Sequence, residues 1–255
     1  MKKKIVLDLL AVLALGLFGA CQGAGAIFSV CYETVGGGRI EGERTQTVAA
    51  GEDAAEVRAV ANEGCYFAGW SDGVKSETRQ DHDLRGDLKV TAVFEKRGLS
   101  VRYEAGEGGQ VSGAAEQTVR YGENATAVTA VPEEGYEFVG WSDGVQTAQR
   151  QDQGVRENLS VTAEFRLRTF LVRYEASAGG KIQGITEQTV TWGGYGPMVQ
   201  AKADAGYEFL GWSDGVKSAI RQDLDIRGDL SVRAIFDEEK FDLIYSAGEG
   251  GRIEG

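Results

Sequence analysis

The sequence predicts an all-β protein that consists of three similar small domains in tandem, and three observations support this. The pentapeptide GWSDG occurs three times. Each copy contains a tryptophan, and successive tryptophans are 71 residues apart, since 141 − 70 = 71 and 212 − 141 = 71. Apolar and polar residues alternate with a period of two between Gly-, Asn-, Asp- and Pro-containing breaks, which indicates short strands.

The interval of 71 residues also relates tyrosines, arginines and phenylalanines, and it sets the repeat boundaries. Repeat 1 covers residues 27–97, repeat 2 covers 98–168 and repeat 3 covers 169–239, while residues 240–255 resemble the start of an incomplete fourth. Each repeat is expected to hold five or six short strands and at most one helical turn. Because the chain has two prolines and no Ser/Thr/Pro-rich linker, the repeats are expected to follow one another directly.

A domain of about 70 residues buries only a modest core, so its large aromatic residues are expected to anchor it. The predicted core residues are the motif tryptophans, the phenylalanines just before them and the phenylalanines of the last strand: Trp70, Trp141, Trp212, Phe138, Phe209, Phe94, Phe165 and Phe236. The alternative is that the tryptophans are exposed and stack against a glycan.

The motif also matches the G-x-S-x-G elbow of serine hydrolases, in which a histidine and an acid activate the serine. The candidate nucleophiles are Ser71, Ser142 and Ser213. His82 is the one histidine, and Gln and Leu stand at its equivalents in repeats 2 and 3. No amphipathic helix pattern follows the serine, and Asp-Gly favours a tight turn. We therefore expect a structural turn and no catalytic residues.

Residues 1–26 have the pattern of a secretory signal, with three lysines before an apolar run that is too short for a comfortable membrane span. "LFGAC" resembles a lipobox, which would make Cys21 the lipid-bearing residue. "AGA" at 24–26 would instead suit ordinary signal cleavage. We expect an extracellular protein and favour the lipid anchor at Cys21, because this cysteine directly ends the apolar run.

The net charge of −12 and the lack of a basic patch argue against nucleic-acid binding. "DHDLRGD" lacks the spaced acidic ligands of a calcium loop, and repeat 2 does not reproduce its oxygens. Asp81 and its equivalents Asp152 and Asp223 are instead expected to be turn or cap residues paired with the nearby arginines. We expect no metal site and no cofactor.

The combination "GG-x-V/I-x-G … QTV … GYEFVGWSDG … LSVTAEF" resembles bacterial repeat domains related to internalin B repeats, the Listeria–Bacteroides repeat family. The resemblance covers residues 27–239 and the start of the fourth copy. It implies a compact β-grasp-like fold and a place in extracellular, cell-surface bacterial proteins. Repeat 1 departs from the pattern at Cys65, where the motif has tyrosine. Repeat 3 departs at "TWGGYGPMVQAKA", where Trp192, Tyr195 and Pro197 predict a distinct loop surface.

Cys31 and Cys65 both lie in repeat 1, and their equivalents in the other repeats are arginine and tyrosine. Because the two positions change together, we expect them to be spatial neighbours. In an oxidising compartment the cysteines would then form a disulfide; the alternative is two unpaired thiols on separate faces.

The function expected from these features is that of a non-enzymatic, secreted or lipid-anchored surface protein that acts as an adhesive or spacer stalk. Its expected partners are a host surface protein, a cell-wall polymer or an extracellular glycan, together with the membrane through the lipid. An accessory carbohydrate- or cell-wall-binding module is the alternative.

Overall fold

The computed structural model describes residues 25–241, 243–244 and 246–254, so most of the predicted signal segment, including Cys21, lies outside the described residues. The chain divides into two compact units, Met1–Arg97 and Gly98–Gly255. The first unit contains repeat 1 and the second contains repeats 2 and 3. Every regular element in the described residues is a strand, which confirms the all-β, tandem-domain prediction.

Repeat 1 has seven strands, more than the five or six expected. They are β1 (Ile27–Val35), β2 (Gly38–Glu41), β3 (Thr45–Ala49), β4 (Val57–Ala61), β5 (Cys65–Trp70), β6 (Thr78–Arg79) and β7 (Leu88–Lys96). The four-stranded sheet has the order β3-β1-β7-β5, and a three-stranded sheet has the order β2-β4-β6. The segment expected to contain a helical turn holds β6 and bends instead.

Repeats 2 and 3 each repeat this set of seven strands. Repeat 2 has β8 (Gly98–Ala105), β9 (Gly109–Ser112), β10 (Glu116–Arg120), β11 (Val128–Pro132), β12 (Tyr136–Trp141), β13 (Gln149–Arg150) and β14 (Leu159–Leu167). Repeat 3 has β15 (Thr169–Ala176), β16 (Gly180–Gln183), β17 (Glu187–Thr191), β18 (Val199–Ala203), β19 (Tyr207–Trp212), β20 (Ile220–Arg221) and β21 (Leu230–Glu238). The described residues after Glu238 form no strand.

The first and last strands of every repeat lie side by side and parallel, at the centre of the four-stranded sheet. In repeat 1, β1 and β7 pair over six positions, from Val30↔Leu88 to Val35↔Val93. β8 pairs with β14, and β15 with β21, over five positions each. Every other strand pairing is antiparallel. One residue, Arg97 or Arg168, connects the last strand of a repeat to the first strand of the next.

Each repeat has a hydrophobic core of its own. Trp70, Trp141 and Trp212 are only 2–3% exposed, so they are core residues and cannot stack on a glycan. Phe94 and Phe236 are buried, whereas Phe138, Phe209 and Phe165 are half-buried and packed against the same cores. In each core, a phenylalanine before the tryptophan meets both the tryptophan and the closing phenylalanine, with ring centroids 5.6–6.2 Å apart.

The double glycine near the start of each repeat makes room for these rings. The second glycine of the pair is Gly38, Gly109 or Gly180, and a Cβ there would collide with the ring of the closing phenylalanine. The first glycine is covered by the residue that begins the motif strand: Cys65 in repeat 1, and Tyr136 and Tyr207 in the others. The "GG" signature therefore reflects close packing across the core.

Within the second unit, Trp192 forms the contact between repeats 2 and 3. Its ring lies against Gly135, where an added Cβ would come within 2.6 Å, and 6.0 Å from the ring of Phe170. The Arg227 guanidinium lies 5.3 Å from its ring centroid and reaches Glu134 of repeat 2 at 3.5 Å. Trp192 therefore joins two repeats, while Tyr195 in the same loop is 65% exposed.

Candidate functional site

The Ser-Asp-Gly turn follows the motif strand in each repeat. In repeat 1 the Gly73 N–H donates to the Trp70 carbonyl at 2.9 Å, and the Trp70 N–H donates to the Val74 carbonyl at 2.8 Å. Gly73 has φ +94°, which glycine adopts without strain. The chain then enters the short strand β6 rather than a helix, so the geometry of a nucleophile elbow is absent from this turn.

The motif serine fastens the turn to the last strand. The Ser71 hydroxyl accepts a hydrogen bond from the Thr91 N–H at 3.0 Å, and the Ser71 N–H donates to the Thr91 carbonyl at 2.8 Å. Ser142 and Ser213 make the equivalent pairs of bonds. His82 contacts Asp53 at 2.7 Å, and the repeats that lack a histidine keep the same serine geometry. In all three repeats the serine therefore holds the turn against the last strand.

The turn aspartates, Asp72, Asp143 and Asp214, each bind a buried arginine: Arg79, Arg150 and Arg221. In repeat 1 Arg79 Nη2 lies 2.7 Å from Asp72 Oδ2, and the arginine side chain is only 6% exposed. The guanidinium also stacks over the Trp70 ring, 5.2 Å from its centroid. The aspartate of "SDG" is therefore a counter-ion for a cation that packs on the core tryptophan.

A second aspartate completes this cluster. Arg79 Nε and Nη2 donate to the two oxygens of Asp81 at 2.7 and 2.6 Å. Asp81 Oδ2 also accepts a hydrogen bond from the Tyr32 hydroxyl at 2.7 Å, and Tyr32 lies 49 positions earlier in the chain. Equivalent contacts join Tyr103 and Tyr174 to the corresponding aspartates of repeats 2 and 3. We call this constellation of tyrosine, tryptophan, arginine and two aspartates the arginine cluster.

The charges in the arginine cluster stabilise one another. In repeat 2 the hydrogen bonds from Arg150 to Asp152 and Asp143 raise the pKa of the guanidinium, and the Arg150 hydrogen bond lowers the pKa of both carboxyl groups. Burial, followed by the hydrogen bond to aspartate, raises the pKa of the buried tyrosines Tyr32, Tyr103 and Tyr174. The described residues contain no buried side-chain polar atom without a hydrogen-bond partner.

Sequence reasoning identified the members of this cluster only in part. The recurrence of arginine and tyrosine every 71 residues was visible, and Asp81, Asp152 and Asp223 were expected to be turn or cap residues paired with the nearby arginines, pairs that the structure contains. The complete arrangement of tyrosine, arginine and two aspartates could not be derived, because its members come from distant parts of the chain. "DHDLRGD" supplies Asp81 to this cluster, and within residues 25–241 and the described tail no group of three acidic, His or Cys side chains could hold a metal.

The predicted disulfide is wrong, because Cys31 and Cys65 are both free in the structure. Both lie on strands adjacent to β7, but Cys31 pairs with Lys89 and Cys65 with Lys96. Seven residues along a strand correspond to roughly 23 Å, far beyond the reach of a disulfide. The positions of Cys31 and Cys65 change together between repeats although the two residues are not in contact.

The arginines at the equivalent of Cys31 have other partners as well. Arg102 pairs with Glu116 at 3.0 Å and Arg173 with Glu187 at 2.8 Å, both across neighbouring strands. Their tyrosine counterparts, Tyr136 and Tyr207, pack on the first glycine of the double-glycine pair, at the other end of the sheet. The expected arginine–tyrosine neighbour pair is therefore absent in repeats 2 and 3, where the buried arginines Arg150 and Arg221 stack on the motif tryptophans instead.

Comparison with protein families gives a clear match. The family model described as "Divergent InlB B-repeat domain" matches three consecutive stretches, residues 28–98, 99–169 and 170–240. A search of curated proteins gave no match. Among solved structures, the Bacillus anthracis TIE protein is similar, with 7% sequence identity and a TM-score of 0.40. The match covers 85% of this chain and 51% of that one, so this chain spans about half the length of that structure.

Proposed function

Because this chain belongs to the divergent InlB B-repeat family, whose repeats are typical of bacterial surface proteins, we propose that it is a non-enzymatic surface spacer that carries tension. The proposal includes secretion, anchoring to a membrane through a lipid on Cys21, and presentation of repeated surfaces to a host protein, a cell-wall polymer or an extracellular glycan. Three similar surfaces on one chain gain avidity when the ligand is itself repetitive.

The parallel pairing of the first and last strands of each repeat is the observation that carries this proposal. The chain enters repeat 1 at the start of β1 and leaves it at the end of β7, and these two ends lie at opposite ends of a parallel ladder. A pull on the two ends therefore slides one strand along the other. All the ladder bonds resist together, whereas an antiparallel pair pulled from one end opens one bond at a time.

The connections between repeats support the same role. A single residue separates the last strand of one repeat from the first strand of the next, so tension passes from ladder to ladder without a long slack segment. The serine bonds described above fasten the motif turn of each repeat to the last strand, and the aspartate after each serine binds the buried arginine of the arginine cluster. Each repeat thereby combines a parallel strand pair that is loaded in shear with the buried ion pairs of the arginine cluster.

Extension of single molecules held at their two ends tests this function. Each repeat of 71 residues releases at most roughly 260 Å of extended chain when it unfolds. We expect three separate steps of nearly equal length. Continuous extension at low force, without discrete steps, would refute a load-bearing role.

Anchoring and catalysis are tested separately. Cys21→Ala should release the protein from membranes into the medium if the lipid is attached there, while cleavage at "AGA" predicts the same release for the wild type.

A serine-directed probe should leave Ser71, Ser142 and Ser213 unlabelled, because their hydroxyls are hydrogen-bonded to the main chain of the last strand. Labelling that Ser142→Ala abolishes would contradict the non-enzymatic assignment.

A glycan-binding role, the second candidate, cannot use the motif tryptophans, since all three are buried. One observation still favours it, namely a surface that only repeat 3 possesses.

A further inference from the structure

The outer face of the three-stranded sheet of repeat 3 carries two opposed lysines. Lys181 on β16 and Lys202 on β18 are directly paired in the antiparallel ladder, so their side chains leave the same side of the sheet. Both are exposed, while the residues that alternate with them, Ile182 and Ala201, face the core. The next outward pair is Gln183 and Gln200, also directly opposed and exposed.

Two apolar side chains extend this surface. Ile185 follows β16 and is 59% exposed, and Met198 precedes β18 and is 63% exposed. Met198 has the same alternation as Gln200 and Lys202. We call the six residues Lys181, Lys202, Gln183, Gln200, Ile185 and Met198 the lysine–glutamine face.

The positive charge on this face is not neutralised by the described part of the chain. The ion pairs found among the described residues include neither Lys181 nor Lys202. Like charges that lie directly opposite on a sheet destabilise it. An anion bound between the two ammonium groups would remove that repulsion. The pair of unneutralised lysines stands out in a protein with a net charge of −12.

The equivalent faces of the other repeats lack this chemistry. In repeat 1 the charges are compensated within the face, since Arg39 pairs with Glu41 at 2.7 Å and Arg58 with Glu77 at 3.7 Å. In repeat 2 the four outward positions of the two longer strands are all uncharged: Gln110, Ser112, Thr129 and Val131. The lysine–glutamine face is therefore specific to repeat 3.

We propose that this face binds an acidic polysaccharide, a linear glycan with carboxylate groups along its length. The lysines would pair with carboxylates, the glutamine amides would donate to and accept from hydroxyls, and the two apolar side chains would lie against the carbon–hydrogen faces of the sugar rings. The face is an open sheet surface, and the four residue steps from Met198 to Lys202 span roughly 13 Å. Such a surface suits an extended polymer better than a compact ligand.

The rest of the chain supplies a test with matched variants. Lys181→Gln and Lys202→Val introduce the residues that repeat 2 has at these positions, Gln110 and Val131, so the fold already accommodates them. Lys217→Gln is the control, because it removes an exposed lysine elsewhere in repeat 3 and introduces the equivalent residue, Gln146. Titration calorimetry on the full chain would use oligogalacturonate, a neutral galactan oligosaccharide and polyphosphate.

We expect wild type and Lys217→Gln to bind oligogalacturonate, and the double variant to bind about tenfold more weakly, as the loss of two exposed ion pairs predicts. Added salt should weaken wild-type binding because it screens exposed charges. No binding of oligogalacturonate, equal binding of the neutral glycan, stronger binding of polyphosphate, or unchanged affinity in the double variant would each overturn the proposal. The site is separate from the parallel ladders, so any of these results would leave the stepwise extension of the spacer unaffected.

Discussion

Replacement of Arg79 by methionine tests whether the arginine cluster stabilises its repeat. The arginine side chain is 6% exposed and contacts Asp81, which is 18% exposed, and Asp72, which is 38% exposed. Methionine fills the space beside Trp70 but leaves the Asp81 carboxylate with Tyr32 as its remaining side-chain partner. Removal of one partner from a fully buried pair costs about 3–5 kcal/mol. Since water can solvate the partly exposed Asp72 carboxylate, we expect Arg79→Met to lower the free energy of unfolding of repeat 1 by about 2–4 kcal/mol.

Hydrogen exchange followed by mass spectrometry would measure this loss for each repeat separately. A loss of 2–4 kcal/mol accelerates exchange through opening of repeat 1 by roughly 30- to 1000-fold. Repeats 2 and 3 keep Arg150 and Arg221, so their exchange is the internal control. Arg79→Met combined with Asp81→Asn should recover part of the loss, because the unpaired carboxylate at position 81 is then replaced by a neutral amide. A change below about threefold, or equal acceleration in all three repeats, would refute the reasoning.

Three further predictions concern the junction, the pH range and the core glycines. Trp192→Ala should leave each fold intact but separate the unfolding of repeats 2 and 3 into two transitions by calorimetry; one unchanged transition would contradict the role of this ring. The arginines lower the pKa of the turn aspartates, so the free energy of unfolding in urea should fall below about pH 4, where these carboxylates become protonated. Burial raises the pKa of the buried tyrosines, so the free energy of unfolding should also fall above about pH 10, where tyrosines of the unfolded chain lose their protons. A Cβ at Gly109 would meet the Phe165 ring, so Gly109→Ala should cost about 1–3 kcal/mol in urea denaturation, whereas Gly86→Ala, which faces open space, should cost little.

Much of the fold was predictable because the three copies of the repeat can be compared with one another. The recurrence of tryptophan, tyrosine and phenylalanine at one interval defined the domains, and period-two alternation identified long strands such as β7, in which Val90, Ala92 and Phe94 face inward. The two-residue strands β6, β13 and β20 were missed because two residues show no alternation. Their pairing depends on partners such as Val57, which lies opposite Arg79.

The functional surfaces were less accessible to sequence reasoning. The cysteine prediction failed because joint replacement at two positions was taken as contact, although strand register separates them. The arginine cluster depends on a tyrosine and an aspartate 49 residues apart, which no local pattern connects. Trp192, Tyr195 and Pro197 were expected to form a distinct loop surface, but Trp192 lies at the contact between two repeats. The paired lysines of repeat 3 become visible only once the register of β16 and β18 is known.

The direction in which repeat 2 is pulled gives the most direct test of the central claim. Handles at Gly98 and Arg168 load the parallel pair β8–β14 in shear, whereas handles at Gly98 and Arg120, which are direct partners at one end of the antiparallel pair β8–β10, open that pair bond by bond. Both would be attached through introduced cysteines in a chain whose own cysteines are replaced by alanine. We predict a clearly higher rupture force for the first geometry. Equal forces in the two geometries, or a higher force for the second, would contradict a spacer built to resist tension.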